Sequence, residues 1–238
     1  MEEENINVSR QTISNRLKEI NYKFIIPINK PPLTEIHINA RLKWAHDHIN
    51  YDFSKVFFSD ETSIWLRFNE KRWVDCNEGV NDYDHVPRHT IKLNVWGYIS
   101  MNYGSKIYIF TENLTSELYE QILIKHIKKL TDKNKDIVYQ DDNDSKHRSK
   151  RITEFKKTNN INSLTWPSNS PDLNPIENIW GLLKNQIKKH TIKNIKEFEI
   201  VVRSCWNEIS QETINNTILS MDKRIQEVIK NNGGSINY

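Results

Sequence analysis

From Lys55 to Phe68 the chain alternates with a period of two. Val56, Phe58, Asp60, Thr62, Ile64, Leu66 and Phe68 fall on one side of an extended segment. Such a run is a sheet strand, and it puts one carboxylate, Asp60, in a row otherwise rich in apolar side chains. A strand-rich block follows, Ile91 to Ile99 and then Lys106 to Phe110 around Gly104, which predicts a meander of three antiparallel strands. The pattern then changes. Leu118, Ile122, Leu123, His126 and Ile127 keep helical spacing, Ile137 to Gln140 is a short strand, and Ser163 to Trp166 reads as a last one. Ile176, Ile179, Trp180, Leu183 and Ile187 form the apolar stripe of a helix, and further helices run to Gly233-Gly234. Strands first, then alternating helix and strand, predict a mixed α/β domain without internal repeats.

At 238 residues the chain can bury one large core. Its 37% hydrophobic and 27% charged residues exclude wholesale disorder. The net charge of +3 does not demand a polyanionic partner, but Lys and Arg gather at 146–151 and again at 184–196, so nucleic acid is allowed. Cys76 and Cys205 fit no metal-ligand spacing and read as reduced, intracellular thiols. No apolar run approaches the ~18 residues of a membrane span, and the acidic start, Glu2-Glu3-Glu4, is unlike a signal peptide. A soluble, non-secreted protein is expected. Ahead of the first strand, Ile13, Leu17 and Ile20 with Ser9 as N-cap predict a short helix, residues 21–35 a linker, and Ala40 to His46 a second helix.

Three carboxylates carry the chemistry. Asp60 on an apolar strand face loses hydration and needs a cation or several donors; the plainer reading is a strand-end aspartate turned to solvent. Asp141 and Asp142 close the short strand, and either converges with Asp60 if the two strands are neighbours; otherwise they form a polar turn. Strand parity does not choose between them. With Asn174 as N-cap and Pro175 at the first helical position, Glu177 falls at N3 and completes a capping box, on the flank of the apolar stripe. Three such carboxylates would bind two magnesium or manganese ions about 3.5–4 Å apart, for phosphodiester cleavage and strand transfer without a protein nucleophile. Two other groups are tempting. Asp82, Asp84, His85 and His89 fit no zinc spacing and read as a solvated loop. Lys146, His147, Arg148, Lys150 and Arg151 either hold phosphate near Asp142 or form a solvated helix face.

The blocks Val56-Phe57-Phe58-Ser59-Asp60-Glu61, Val95-Trp96-Gly97, Gln140-Asp141-Asp142-Asn143-Asp144-Ser145-Lys146-His147 and Trp166-Pro167-Ser168 through Pro171-Asp172-Leu173-Asn174-Pro175-Ile176-Glu177 resemble the Tc-one/mariner superfamily of cut-and-paste DNA transposases. The likeness runs from about Val8 to Tyr238. It selects Asp142 over Asp141, and a glutamate with 34 residues between it and Asp142 is similar to the Tc-one branch. It implies a ribonuclease-H-like mixed sheet flanked by helices, and a triad of Asp60, Asp142 and Glu177 holding two magnesium ions, with manganese able to substitute. It also implies excision of double-stranded DNA at terminal inverted repeats, insertion at TA, a homodimer on DNA and a nuclear site; no membrane and no small-molecule substrate is expected. Asn69 to Thr90 would be the insertion that related enzymes use in subunit or DNA contacts. The family carries two helix-turn-helix modules, of which residues 1–20 look like the last helix. Residues 21–50 are then linker and helix, and 51–238 the catalytic domain. Two further readings compete: a non-catalytic relic or repurposed DNA-binding protein, and a nuclease of the same fold without strand transfer.

Overall fold

The strand alternation resolves into β1, Val56–Leu66, the middle of a five-stranded sheet, in a computed structural model that describes residues 9–22, 33–66 and 91–237. The chain divides into two units, residues 1–32 and 33–238. Within the first, helix α1 (Arg10–Glu19) starts at Ser9, whose hydroxyl accepts from the Thr12 amide as the sequence predicts. Its apolar residues Ile13, Leu17 and Ile20 are exposed.

The second unit holds the sheet. β1 pairs antiparallel with β2 (Ile91–Ile99), and β2 with β3 (Ser105–Phe110), giving the expected meander around Gly104. On its other side β1 pairs parallel with the three-residue β4 (Val138–Gln140), which pairs with β5, Asn162–Ser163. The last strand is thus shorter than Ser163 to Trp166 suggested. The Leu164 amide still donates to the Tyr139 carbonyl of β4, and beyond it the Thr165 carbonyl accepts from the Trp44 indole instead of a ladder partner.

The period of two sends neighbouring side chains into different cores. Val56, Phe58 and Ile64 pack beneath the helices α6 (Ile176–Ile187), α7 (Ile195–Asn207), α8 (Gln211–Leu219) and α9 (Met221–Lys230), joined by Trp44 and Ala45 of α2 (Glu35–Asp47). Phe57 and Tyr139 point the other way, to α3 (Ser116–Leu123), its π-helical continuation Ile124–Lys128, α4 (Lys129–Lys133) and α5 (Lys150–Thr158). Thr34, Thr115, Ser149, Asn194 and Ser210 cap their helices through side-chain oxygens, each worth about 1 kcal/mol. No helix among the described residues is long and apolar enough to cross a membrane. Cys205 is a free, buried thiol; Cys76 lies outside the described residues.

A buried ion pair fixes the approach to α6. Arg41 of α2 grips Asp172 with two hydrogen bonds of 2.7 and 2.8 Å, and its Nε donates to the Gly233 carbonyl at 2.9 Å. The Ile236 amide also donates to Asp172, while Arg224 donates to the Asp172 carbonyl and to Asn178 Oδ1. The Arg41 side chain is fully buried and that of Asp172 nearly so, which is tolerable because the bidentate geometry satisfies both charges.

Candidate active site

The parallel pairing of β1 with β4 aligns Phe58 with Gln140. Asp60 and Asp142 each lie two positions further along their chains, Asp142 just past the end of β4, and the charge of Asp142 acts on Asp60. The neighbouring Asp141 turns to the opposite face, where it accepts from the Tyr119 hydroxyl at 2.8 Å and pairs with Lys156. Parity of β1 against β4 therefore separates the two aspartates, which the sequence alone did not.

Asp60 is opposite Gly97 on β2. That glycine makes room for the Trp180 ring of α6, since a Cβ at residue 97 would stand 2.7 Å from Trp180 Cη2. The Trp180 indole thereby reaches Asp60 and donates to its Oδ2 at 3.1 Å. Burial pushes the Asp60 carboxyl well above the usual carboxylate range, and the charges of Glu177, Glu61 and Asp142 push the same way, against a backbone hydrogen bond from Glu61. Glu177, in the first turn of α6, is exposed, and its carboxyl is also raised by desolvation; Lys184 and a hydrogen bond with Asp60 pull it partly back. Each of these two carboxyls acts on the other.

The capping box expected at Glu177 is not formed. α6 begins at Ile176 after Pro175, with no side-chain cap bond. Asn174 instead donates from Nδ2 to the Ser59 carbonyl of β1 at 3.2 Å, while its Oδ1 accepts from the Ile176 amide. The tether fastens the helix start to the strand that carries Asp60, and it releases Glu177 from capping.

Asp142 is held differently. His147 Nδ1 donates to its Oδ1 at 2.7 Å, and the Asp144 amide donates to the same oxygen at 2.9 Å. Burial would raise the Asp142 carboxyl, but these donors bring it below the ordinary value. His147 is buried and stacked on Tyr119 with ring centroids 4.2 Å apart. Its Nε2 lies 3.3 Å from Glu61 Oε1, close enough for an ion pair though misaligned for a hydrogen bond. Burial disfavours the imidazolium, yet Asp142, Glu61 and Asp141 outweigh it and raise His147 to about 10. A pocket of about 360 Å³ opens beside Asp142, lined in part by Asn143, Arg148, Lys156 and Trp166.

Among the described residues no three His, Cys, Asp or Glu side chains are gathered closely enough to hold a metal ion. The donor set nonetheless suits one. Burial and the neighbouring carboxylates raise Asp60, desolvation raises Glu177, and Asp142 Oδ2 has no hydrogen-bond partner among the described residues. Hard oxygen donors whose charges repel one another are what a divalent cation neutralises.

Residues 55–199 match the family described as DDE superfamily endonuclease. The chain belongs to that family. A second family model, described as Transposase, matches residues 1–50 of this DDE endonuclease. The transposable element Tc3 transposase of Caenorhabditis elegans is 28% identical over 245 residues, 98% of this chain and 73% of that protein. The Tcb2 transposase of Caenorhabditis briggsae is 27% identical over 241 residues, 97% of this chain and 88% of that protein. Among solved structures, the mariner Mos1 paired end complex with Mg superposes with a TM-score of 0.76 at 17% identity, covering 97% of this chain and 72% of that one. The Mos1 transposase catalytic domain with Raltegravir and Mg gives 0.69 at 14% identity, covering 87% and 100%. At such identities the structural likeness speaks to the fold, which is the ribonuclease-H-like sheet. The family and relatives together make this DDE endonuclease a cut-and-paste transposase of the Tc1/mariner type.

Several residues around the carboxylates of this transposase take parts that the sequence does not show. Trp180 registers there only as core and Gly97 only as part of a strand, because their meeting depends on α6 crossing β2. His147 falls within a basic run whose members the fold largely neutralises: Lys146 with Asp144 at 3.0 Å, Lys150 with Glu154 at 3.9 Å, Arg151 with Glu117 and Glu120. Asp82, Asp84, His85 and His89, with the whole stretch Asn69 to Thr90, lie outside the described residues.

Proposed function

We propose that Asp60, Asp142 and Glu177 are the catalytic carboxylates of this transposase and that together they hold two divalent cations, magnesium or manganese. The observation that carries the reading is the β1–β4 register, which brings Asp60 and Asp142 to equivalent positions, with Glu177 of α6 in hydrogen-bonding contact with Asp60. Bound cations would supply charge neutralisation and activation of water or a 3′-hydroxyl for in-line attack on phosphorus. The chain's own groups do the positioning. Trp180 orients Asp60, His147 fixes one oxygen of Asp142 and leaves the other free, and Asn174 ties the start of α6 to β1. Pre-set carboxylates of this kind suit phosphoryl transfer, which relies on positioning and electrostatics more than on covalent chemistry.

The substrate is double-stranded DNA, cut at the transposon's terminal inverted repeats and joined to target at TA, with the protein acting as a homodimer in the nucleus. The solved Mos1 paired-end and strand-transfer complexes, described with a transposon end and with Mg or Mn, support the DNA and metal parts. The test is cleavage of a duplex bearing the element's own inverted repeats with magnesium present. The wild-type protein is expected to cut and Glu177→Gln to fail while keeping its fold; equal cutting by both contradicts the assignment.

A further inference from the structure

The sequence holds two basic runs, and the structure treats them oppositely. In the run after Asp142, Lys146, Lys150 and Arg151 pair with nearby carboxylates, while the exposed Arg148 has no ion pair among the described residues. Lys184, Lys188, Lys189, Lys193 and Lys196 have no ion pair among the described residues, and all but the half-buried Lys184 are exposed. At 100° per residue, Glu177, Gly181, Lys184 and Lys188 fall within about 60° of one another, so they form one line along α6 and its last turn. The line is about 16 Å long, enough to follow several phosphates of a duplex strand. Lys184 is near enough to act on the Glu177 carboxyl, which marks the line as continuous with the active site.

Gly181 supplies a second, independent observation. Glycine disfavours a helix interior, and it is retained where a bulky neighbour needs the space. No such neighbour is present here: an added Cβ at residue 181 would meet nothing within 4 Å, and the residue is exposed. It leaves bare helix surface between the carboxylate and the first lysine, where another backbone can come close.

We propose that the Gly181, Lys184 and Lys188 line of α6 is a track for the sugar-phosphate backbone of duplex DNA running to Glu177. It rests on the reading of Glu177 as part of the cleavage site and adds to it how the duplex is laid there. The contacts are to phosphate, so they position the DNA and carry no sequence preference.

The test is binding of the full chain to a fluorescently labelled mixed-sequence duplex, in EDTA so that nothing is cut, from roughly 50 to 200 mM salt. Lys184→Ala with Lys188→Ala is compared with Lys128→Ala with Lys150→Ala, which removes the same charge from lysines paired to Asp132 and Glu154. The track pair is expected to lower the slope of log K against log salt by about two and to weaken binding at least tenfold at low salt, with the control pair near wild type. Gly181→Leu is expected to weaken binding without lowering the thermal midpoint. An unchanged slope in the track pair, an equal loss in both pairs, or no duplex binding by the wild type overturns the track. Cleavage by Glu177→Gln is scored separately, so failure of the active-site assignment is read apart from failure of the track.

Discussion

At the scale of residues, the carboxylates differ in how the protein prepares them, and the difference can be measured. Asp60 and Glu177 are both raised, so divalent cations compete with protons for their oxygens. Magnesium or manganese affinity is therefore expected to fall as pH is lowered, with proton release seen by calorimetry in buffers of different ionisation enthalpy; a pH-independent affinity contradicts this. His147 acts through Asp142, and removing a partner of that kind costs about 10–100-fold in metal affinity. His147→Ala is expected to show that loss by metal titration. Its raised value has a definite sign for stability. The unfolded imidazole titrates near 6.5 and the folded one near 10, so in metal-free protein its contribution is complete below 6.5 and is lost as pH rises through about 10. The thermal midpoint in EDTA should fall across that window, and His147→Gln should flatten the fall. Asp60, Asp142 and Glu177 are candidates in the sequence because motifs surround them. His147 and Glu61 stand in the same motif blocks, but that a buried imidazole bridges two acids is a matter of three-dimensional contact, and its sequence surroundings are basic.

At the scale of elements, β1 was readable from its alternation and α6 from its stripe, since burial of one face imposes those periods on the sequence. At the start of α6 the Asn174 oxygen does accept from the Ile176 amide, as a cap signal implies, but its Nδ2 goes to the Ser59 carbonyl of β1 and Glu177 does not complete the box. The crossing of α6 over β2 yields the next prediction. Gly97→Ala puts a methyl 2.7 Å from Trp180 Cη2, next to Ile107 and the Lys106 carbonyl, and should destabilise by about 1–3 kcal/mol in urea unfolding. It should also dislodge the Trp180 indole from Asp60 and so reduce cleavage beyond the stability loss. Gly181→Ala, on open helix surface, should instead stabilise by about 1 kcal/mol.

At the scale of the whole molecule, parts distant in sequence converge on the loop before Glu177. Arg41, Asp172, Arg224 and the backbone of residues 233–236 form a buried polar knot; Asp172 stands in the third motif block, but the pairing is not legible because Arg41 and Ile236 are 131 and 64 positions away from it. Asp172→Ala leaves the Arg41 guanidinium buried without its carboxylate and should cost about 3–5 kcal/mol, measured by denaturant unfolding. The central claim is that the three carboxylates act as one unit on DNA. Its most direct test is a magnesium-dependent cleavage and strand-transfer assay on the element's own inverted repeats, with Asp60→Asn, Asp142→Asn, Glu177→Gln and the triple variant, each checked for fold. The expected result is a loss of roughly 10³-fold or more in every single variant, with the triple variant no worse than the singles. Wild-type rates in any one of the three would contradict the account.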